Sequence, residues 1–220
     1  MPTHKPHIHL VDDDPDVRAG VSLLLKSEDF LVRAFADAQA VLDFVTPRTP
    51  GCLILDVRLP DMDGLTLQRR LKEQDIHMPI VFITGHGDIP MAVRALSEGA
   101  LDFLEKPFSD QALIEGVRHA LERDAEQRAG AQEVAHLQAR LDSLTPRERD
   151  VLEGLLDGQP NKLIARDLDV SVRTVEIHRS NLMQKMGAKS ASHLARLALA
   201  CSEYQHRLLP TLPIDEKSVS

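Results

Sequence analysis

The 220-residue chain has the length of two average domains and an ordinary hydrophobic content of 43%. Trp is absent and aromatic residues make up only 3%, which argues against a pocket lined with aromatic side chains. The N-terminus lacks the pattern of a signal peptide, and no apolar run approaches the ~18 residues of a membrane span. Cys52 and Cys201 lack metal-ligand spacing, so we expect free thiols in a cytoplasmic protein.

The net charge of -8 is distributed unevenly along the chain. Residues 1–122 contain 12 Lys and Arg against 20 Asp and Glu, whereas residues 144–200 contain 9 against 7. An acidic first part followed by a mildly basic segment suggests a cation site first and a polyanion partner second. The basic excess is too small to indicate nucleic-acid binding by itself.

Short apolar segments alternate with segments of helical periodicity in the first 120 residues. The predicted strands cover residues 8–11, 32–35, 51–56, 79–84 and 101–104. Helices are predicted from Pro15, after the capping residue Asp37, over 65–71, over 89–97 and from Ser109. Continuous apolar runs are typical of strands buried on both faces. The alternation predicts an α/β doubly wound fold with a five-stranded parallel sheet, of the flavodoxin-like kind, over residues 1–122.

Residues 123–143 form a polar, helix-favouring linker. Leu121, Val134, Leu137 and Leu141 give a sparse apolar stripe with heptad-like spacing. The stretch can extend the preceding helix, with a short coiled segment, or form a solvated linker helix. The sequence leaves both alternatives open.

From Leu144 onwards the periodicity is helical only. Residues 145–148 form a capping box with Pro in the first turn. Predicted helices over 161–168 and 172–186 are joined by a tight turn, which is the pattern of a helix-turn-helix. We therefore predict an all-α four-helix helix-turn-helix domain over 144–200, followed by a disordered tail over 201–220.

Polar residues stand where four of the predicted strands end. They are Asp12 and Asp13, Asp56, Thr84, and Lys106. The carboxyl ends of parallel strands lie at one edge of the sheet, where α/β folds bind their ligands. Crowded carboxylates need a cation among them, and oxygen ligands of this kind suit Mg²⁺.

This arrangement predicts that Asp56 is a nucleophile that accepts a phosphoryl group in line. Lys106 would neutralise a phosphoryl oxygen, and the Thr84 hydroxyl would turn toward the new phosphate. Each residue also has an ordinary explanation, as a helix cap, a strand end or a surface lysine. Their joint occurrence at strand ends favours the phosphoryl site.

The first 120 residues resemble a two-component receiver domain. The motifs that carry the resemblance are residues 11–14, 55–56, 59–64, 83–85 and 103–108. The resemblance implies that Asp13 and Asp56 bind Mg²⁺ together with the backbone carbonyl of Arg58, while Asp12 acts on the metal through water. It also implies a phosphohistidine on a sensor histidine kinase as the phosphoryl donor.

The resemblance further implies a switch formed by Thr84 and Phe103. The family most often has Tyr at the position of Phe103, so the hydroxyl group of that switch is missing here. The family usually has a cis bond at Lys106–Pro107, which the sequence permits. It tunes dephosphorylation through the positions of Arg58 and His86, from which no lifetime can be derived.

Residues 144–200 resemble the output domain of FixJ/NarL-type (LuxR-like) regulators, and the whole chain resembles the FixJ subfamily most closely. Residues 144–152, 162–165 and 171–179 carry the resemblance. The pattern usually has Gly where Asp169 stands. Because Asp tolerates left-handed geometry, the turn can be retained.

The helix over 172–186 is predicted to be the recognition helix, with Val175, Leu182 and Met186 facing inward. The predicted DNA-binding residues are Arg173, Thr174, Glu176, Ile177, Arg179, Ser180, Asn181 and Lys185. By resemblance, Glu176, Ile177 and Ser180 face the bases, where Glu176 could accept from cytosine and Ile177 could contact a thymine methyl. The cations and Asn181 are phosphate candidates. A solvated helix face is the alternative for each.

We interpret the chain as a phosphorylation-controlled transcription factor and not an enzyme, apart from its own phosphoryl transfer and dephosphorylation. By resemblance, the phosphorylated form dimerises through the fourth helix and fifth strand, a face that includes Met91, Val93, Arg94 and Leu96. Release of an inhibited DNA-binding domain is a second route. The expected partners are a sensor histidine kinase, double-stranded DNA and RNA polymerase, with no membrane.

Two alternative functions each require a feature that the sequence lacks. A hydrolase with an aspartyl-phosphate intermediate would have a second Asp two residues after the nucleophile, where Arg58 stands. A regulator gated by a small diffusible ligand would need an aromatic-rich pocket, and the chain has no Trp.

Overall fold

The computed structural model describes residues 7–60, 62–85 and 89–201. Clustering of backbone contacts separates two compact units, Met1–Arg128 and Ala129–Ser220. The predicted tail after Cys201, and the motif residues Asp61 and His86, lie outside the described residues.

The first unit is built on a parallel sheet of five strands in the order β2-β1-β3-β4-β5. The strands are β1 (His7–Val11), β2 (Leu31–Phe35), β3 (Gly51–Asp56), β4 (Ile80–Thr84) and β5 (Asp102–Glu105). All neighbouring strands pair in parallel. The predicted α/β doubly wound fold is therefore confirmed.

Helices follow the strands in alternation. They are α1 (Pro15–Ser27), α2 (Ala38–Phe44), α3 (Gly64–Glu73), α4 (Ile89–Ser97) and α5 (Asp110–Asp142). Asp14, Asp37 and Asp63 cap the first three, because each carboxylate accepts hydrogen bonds from backbone N–H groups in the first turn. Pro15 occupies the first turn of α1, where no backbone donor is needed.

The core lies on both faces of the sheet, because successive residues of a strand point to opposite sides. Every residue of β3 and β4 is buried. Leu53 and Leu55 share one apolar cluster with residues of α2, α3 and α4, whereas Ile54 shares the other with residues of α1 and α5. Burial on both faces explains why these strands are apolar up to their last residues, Asp56 and Thr84.

Helix α5 continues without interruption to Asp142, so the linker stretch extends the preceding helix. The division between the two units, after Arg128, falls within α5. Buried Asp124 accepts from the backbone N–H of Gly51 at 2.9 Å and from Arg128 at 2.8 Å. Arg128 also donates to the carbonyls of Arg48 and Thr49, so this ion pair fastens α5 to the start of β3.

The second unit contains four further helices. They are α6 (Pro146–Leu156), α7 (Asn161–Asp167), α8 (Val172–Met186) and α9 (Ala191–Leu199). The capping box of Thr145 and Glu148 is present, and Asp169 adopts the predicted left-handed geometry with φ 54°. Val175, Leu182 and Met186 are buried, as predicted, in a core that also includes Leu137 and Leu141 of α5. Within the described part of the chain, no helix has an apolar stretch of the length that a bilayer requires.

One buried polar residue in the sheet makes the first unit sensitive to acid. His9 of β1 is buried beside the rings of Phe35 and Phe44, with ring centroids 6.2 and 5.7 Å away. Burial disfavours the charged imidazole and, despite the opposing effect of the Pro50 carbonyl, lowers its pKa from 6.5 to about 4. His9 is therefore neutral in the folded protein over the range in which an unfolded histidine becomes protonated.

We expect the stability of the protein to fall as the pH falls from about 6.5 to about 4, since the unfolded chain then binds a proton that folded His9 does not. The contribution of His9 to this loss is about 3 kcal/mol. His9→Leu should remove this contribution. The free energy of unfolding of the variant should therefore depend less on pH, as measured by urea unfolding followed by circular dichroism. His119→Leu, on the exposed face of α5, is the matched control and should behave like the original chain. An unchanged acid loss in His9→Leu would refute this role.

Candidate functional site

The predicted site residues lie together at the carboxyl edge of the sheet. Asp56 ends β3 and Thr84 ends β4, while Asp12 and Lys106 directly follow β1 and β5. These strands are neighbours in the sheet, and the backbone N–H of Lys106 donates to the Thr84 carbonyl at 2.7 Å. The parallel topology therefore brings together residues that are far apart in sequence.

The Lys106 ammonium joins two of these carboxylates. Its Nζ donates to Asp12 Oδ2 at 2.7 Å and to Asp56 Oδ2 at 2.8 Å. Asp12 is 0% exposed and Asp56 is 7% exposed. Water screens such an arrangement little, so the charges interact strongly.

Burial and charge act against each other in this group. Burial raises the pKa of Asp12 above its usual value, although the Lys106 ammonium and the Asp14 N–H favour the carboxylate. Burial also disfavours the charged form of Lys106, but its hydrogen bonds to Asp12 and Asp56 outweigh this effect and raise its pKa. Lys106 is consequently a permanent cation of the site.

Three acids at this edge could hold a metal ion. Ligand atoms of Asp12, Asp13 and Asp56 lie within 4.8 Å of one another. Asp13 is exposed, which leaves the group open to solvent on one side. Three carboxylates face a single ammonium, so the site has an excess of oxygen donors and of negative charge, which suits a hard divalent cation. Asp14 turns away from this group to cap α1.

The other Asp56 oxygen is held by the backbone. Its Oδ1 accepts from the N–H of Arg58 at 2.9 Å. A Cβ at Gly64 would lie 2.6 Å from the Asp56 carbonyl oxygen, so only glycine permits α3 to start so close to this residue. The Asp56 carboxylate is thus oriented by two donors, and a phosphoryl acceptor needs little more than such positioning.

The two predicted switch residues, Thr84 and Phe103, differ in their burial. Thr84 is buried at the end of β4. Phe103 is half-buried on β5 and packs against Phe82, with ring centroids 6.3 Å apart. The Lys106–Pro107 peptide bond is cis, as the resemblance implied.

The sequence did not point to Arg18. This residue of α1 donates from Nη1 to the Asp12 carbonyl at 2.7 Å, and so helps to hold the β1–α1 turn beneath the acids. Its only sequence signal is a basic residue in the second turn of the helix, which is also typical of an exposed helix face.

Helix α8 presents a polar surface opposite its buried face. Exposed residues among the predicted DNA-binding set are Arg173, Glu176, Ile177, Ser180, Asn181 and Lys185. Thr174 and Arg179 are half-buried, and Arg179 Nη1 donates to Asn161 Oδ1 of α7 at 2.9 Å. Ile177 is 54% exposed on this surface, where its apolar side chain is available for a contact with a thymine methyl group.

Lys185 is bound within the second unit. Its Nζ donates to Glu148 Oε2 at 2.7 Å and to the Ser143 carbonyl at 3.1 Å. Burial favours neutral Glu148, but the hydrogen bonds from Lys185 and Thr145 outweigh burial and lower its pKa. The predicted phosphate contact at Lys185 therefore competes with a structural ion pair, which sequence spacing did not reveal.

Comparisons with known proteins match both units. Residues 8–118 match the family described as response regulator receiver domain, and residues 142–198 match bacterial regulatory proteins of the luxR family. The chain is 49% identical to the transcriptional regulatory protein FixJ of Bradyrhizobium diazoefficiens, over 90% of this chain and 96% of that protein. It is 45% identical to the response regulator protein TmoT of Ectopseudomonas mendocina, over 86% of each.

The chain is also similar to solved structures of response regulators. The structure of the response regulator StyR has a TM-score of 0.79 and 44% identity, covering 88% of this chain and 98% of that chain. Full-length FixJ from B. japonicum has a TM-score of 0.53 and 47% identity, covering 90% and 98%. The chain therefore belongs to the two-component response regulators of the FixJ type, which join a receiver domain to a LuxR-type DNA-binding domain and regulate transcription.

Proposed function

We propose that a sensor histidine kinase phosphorylates this regulator on Asp56, and that phosphorylation controls dimerisation and sequence-specific DNA binding. The observation that carries the proposal is the bridge from Lys106 to both Asp12 and Asp56 at the carboxyl edge of the sheet. This bridge places a cation where a phosphoryl group on Asp56 would develop charge. The chain catalyses only its own phosphoryl transfer and dephosphorylation.

Mg²⁺ is the proposed cofactor, because the three acids supply the oxygen donors that it prefers. Asp13, Asp56 and the backbone carbonyl of Arg58 would hold it, with Asp12 acting through water. Bound there, the ion would neutralise charge on the transferred phosphoryl group. Asp56 supplies the attacking oxygen, while Lys106 and the Arg58 N–H keep the carboxylate in its orientation.

The phosphorylated state would be sensed by Thr84 and Phe103. Thr84 directly follows Ile83, which pairs with Asp56 across the two strands, so we expect its hydroxyl to turn toward a phosphate on Asp56. Phe103 is only half-buried on β5, which leaves space for its ring to change position. A shift of α4 and β5 would follow. The phosphorylated and unphosphorylated states would differ in stability because the contact between Thr84 and the phosphate forms in the phosphorylated state alone.

Helix α4 offers the surface for dimerisation. Ile89, Val93 and Leu96 are 81%, 59% and 46% exposed, and their spacing places them along one side of the helix. Large apolar residues in such a row are typical of an interaction surface. A dimer formed there would present two recognition helices to half-sites about one DNA turn apart.

RNA polymerase is the further partner that we propose, since a DNA-bound activator or repressor acts on transcription through it. Cys52 and Cys201 are both buried, and we place the protein in the reducing cytoplasm, where thiols persist.

Asp56→Asn should abolish labelling of the protein by a radioactive small phosphodonor, because the amide cannot act as the nucleophile. Removal of divalent cations by a chelator should do the same in the unchanged protein. Asp43→Asn, at an exposed acid of α2, is the matched control and should label normally. Acid-stable labelling of Asp56→Asn would overturn the assignment.

Val93→Asp should keep the phosphorylated protein monomeric, since a carboxylate would have to be buried in an apolar interface. We expect dimerisation to weaken roughly 100-fold in sedimentation analysis with phosphodonor. Leu23→Asp replaces a residue of α1 that is equally apolar and 73% exposed, and should leave dimerisation intact. Equal dimerisation of both variants would place the interface elsewhere.

Glu176→Ala should relax the sequence preference at one base position by about 1–3 kcal/mol, with little change in the salt dependence of binding. Arg173→Ala should instead weaken binding to all sequences and reduce the salt slope by about 0.9. Binding-site selection and titrations at several salt concentrations measure both. A uniform loss of affinity in Glu176→Ala would show that Glu176 does not read a base.

Lys185→Met should leave the salt slope of DNA binding unchanged and destabilise the DNA-binding domain by about 1–3 kcal/mol, because buried Glu148 would lose its cation. Thermal unfolding measures the loss, and Lys189→Met at an exposed position is the control. A salt slope reduced by about 0.9 without loss of stability would instead establish Lys185 as a phosphate contact.

A further inference from the structure

Two hydrogen bonds join the end of α5 to the end of α8, the proposed recognition helix. Arg140 Nη1 of α5 donates to the Met186 carbonyl of α8 at 3.2 Å. In the opposite direction, Lys185 Nζ of α8 donates to the carbonyl of Ser143, which directly follows α5, at 3.1 Å. The partners are 46 and 42 residues apart in sequence. These two reciprocal bonds are called the α5–α8 clamp below.

The guanidinium of Arg140 lies close against the end of α8. A Cβ at Gly187 would lie 3.1 Å from Arg140 Nη1, so the absence of a side chain there leaves room for the guanidinium. Gly187 also ends α8 with a φ of 66°, a left-handed geometry that glycine adopts without strain. The last carbonyl groups of a helix lack partners within the helix, and a cation beside them is favourable. Arg140 therefore supplies both a donor and a positive charge to the end of α8.

The end of α5 is itself fixed by packing. Leu137 and Leu141, on either side of Arg140 in sequence, are 3% and 0% exposed in the core of the DNA-binding domain. Arg149 of α6 donates to the Leu141 carbonyl at 3.0 Å, which attaches the same turn of α5 to a further helix. Arg140 therefore extends from a backbone that belongs to the packed domain.

The position of the end of α8 matters for the residues that are predicted to meet DNA. Ser180 and Asn181 are exposed and lie about one turn before Lys185. Asn181 is about 14 Å along the helix from Val172, since each residue adds about 1.5 Å. A tilt of α8 by about 10° around its start would move Asn181 by about 2 Å, which is enough to break a hydrogen bond to a base or a phosphate.

We propose that Arg140 is a positioning residue for DNA recognition. Through the Met186 carbonyl it fixes the end of α8, and with it the DNA-facing residues Ser180 and Asn181. Arg140 acts on α8 and does not contact DNA. The inference rests on the proposed role of α8 as the recognition helix. It extends the DNA-binding machinery into α5, beyond residues 142–198 that match the luxR family.

The test compares Arg140→Met with the unchanged full chain in the presence of phosphodonor. Fluorescence anisotropy measures the affinity for a labelled duplex obtained by binding-site selection and for a scrambled duplex of equal length. We expect Arg140→Met to bind the selected duplex about tenfold more weakly. Its affinity for the scrambled duplex and its salt slope should be unchanged, because both depend on phosphate contacts that the clamp does not make.

Two further variants serve as a rescue and a control. Arg140→Lys keeps a cationic donor at the same position and should recover most of the lost affinity. Arg123→Met removes an exposed arginine of α5 in the receiver domain, and should bind both duplexes as the unchanged chain does. All titrations are made well below the midpoint of thermal unfolding of each variant, so that a loss of stability alone leaves the affinity unchanged.

The positioning role is overturned if folded Arg140→Met binds the selected duplex as tightly as the unchanged chain, since the clamp then only stabilises the domain. It is equally overturned by weaker binding to both duplexes with a salt slope reduced by about 0.9, which would make Arg140 a phosphate contact. If the unchanged chain itself does not distinguish the two duplexes, the proposed function fails together with this role.

Discussion

The interaction on which the receiver depends is the bridge from the Lys106 ammonium to the carboxylates of Asp12 and Asp56. Two buried acids at the end of a sheet repel each other, and burial already makes the charged form of Asp12 costly. The Lys106 cation between them offsets this repulsion. The site still has an excess of negative charge, because Asp13 lies nearby. This excess of negative charge is the reason for proposing a divalent ion at the site. Phosphoryl transfer to Asp56 would alter that balance at a single atom, which is why a small chemical change can act on the neighbouring strands.

The backbone around Asp56 is constrained as closely as its side chain. A Cβ at Gly51 would lie 1.8 Å from the His7 carbonyl oxygen, and Gly51 has a φ of 127°. At the other end of the stretch, Gly64 permits α3 to begin against the Asp56 carbonyl. Both glycines allow close approach of backbone segments, so β3 fits between its neighbours and its carboxylate reaches the sheet edge. The α5 ion pair of Asp124 and Arg128 fastens the start of the same strand. Asp56, the proposed phosphoryl acceptor, is thus positioned from both ends of β3.

In the DNA-binding domain, one helix, α8, contributes to the core, to the polar surface and to an ion pair. The buried side of α8 holds the core of the domain through Val175, Leu182 and Met186, while the opposite side remains polar with Ile177 exposed. At its end Lys185 compensates the buried Glu148, which in turn caps the start of α6. A cation on a recognition helix therefore need not contact DNA. Its role depends on whether a buried acid lies within reach, and that is a property of the packed domain.

The apolar runs, the capping residues and the polar residues at strand ends were sufficient to predict the fold, and to predict that Asp12, Asp56, Thr84 and Lys106 lie at one edge of the sheet. This works because strands buried on both faces must be apolar, and because parallel strands always end at the same edge. The sequence also predicted the left-handed turn at Asp169 and the inward face of α8, since both follow from local backbone geometry and helical periodicity. The tertiary structure alone decided which charged groups meet. Lys106 and Asp12 are 94 residues apart and Lys185 and Glu148 are 37 apart, and the Arg18 contact depends equally on packing. Periodicity determines on which face of a helix or strand a side chain lies, but only the packed chain determines which groups that side chain contacts.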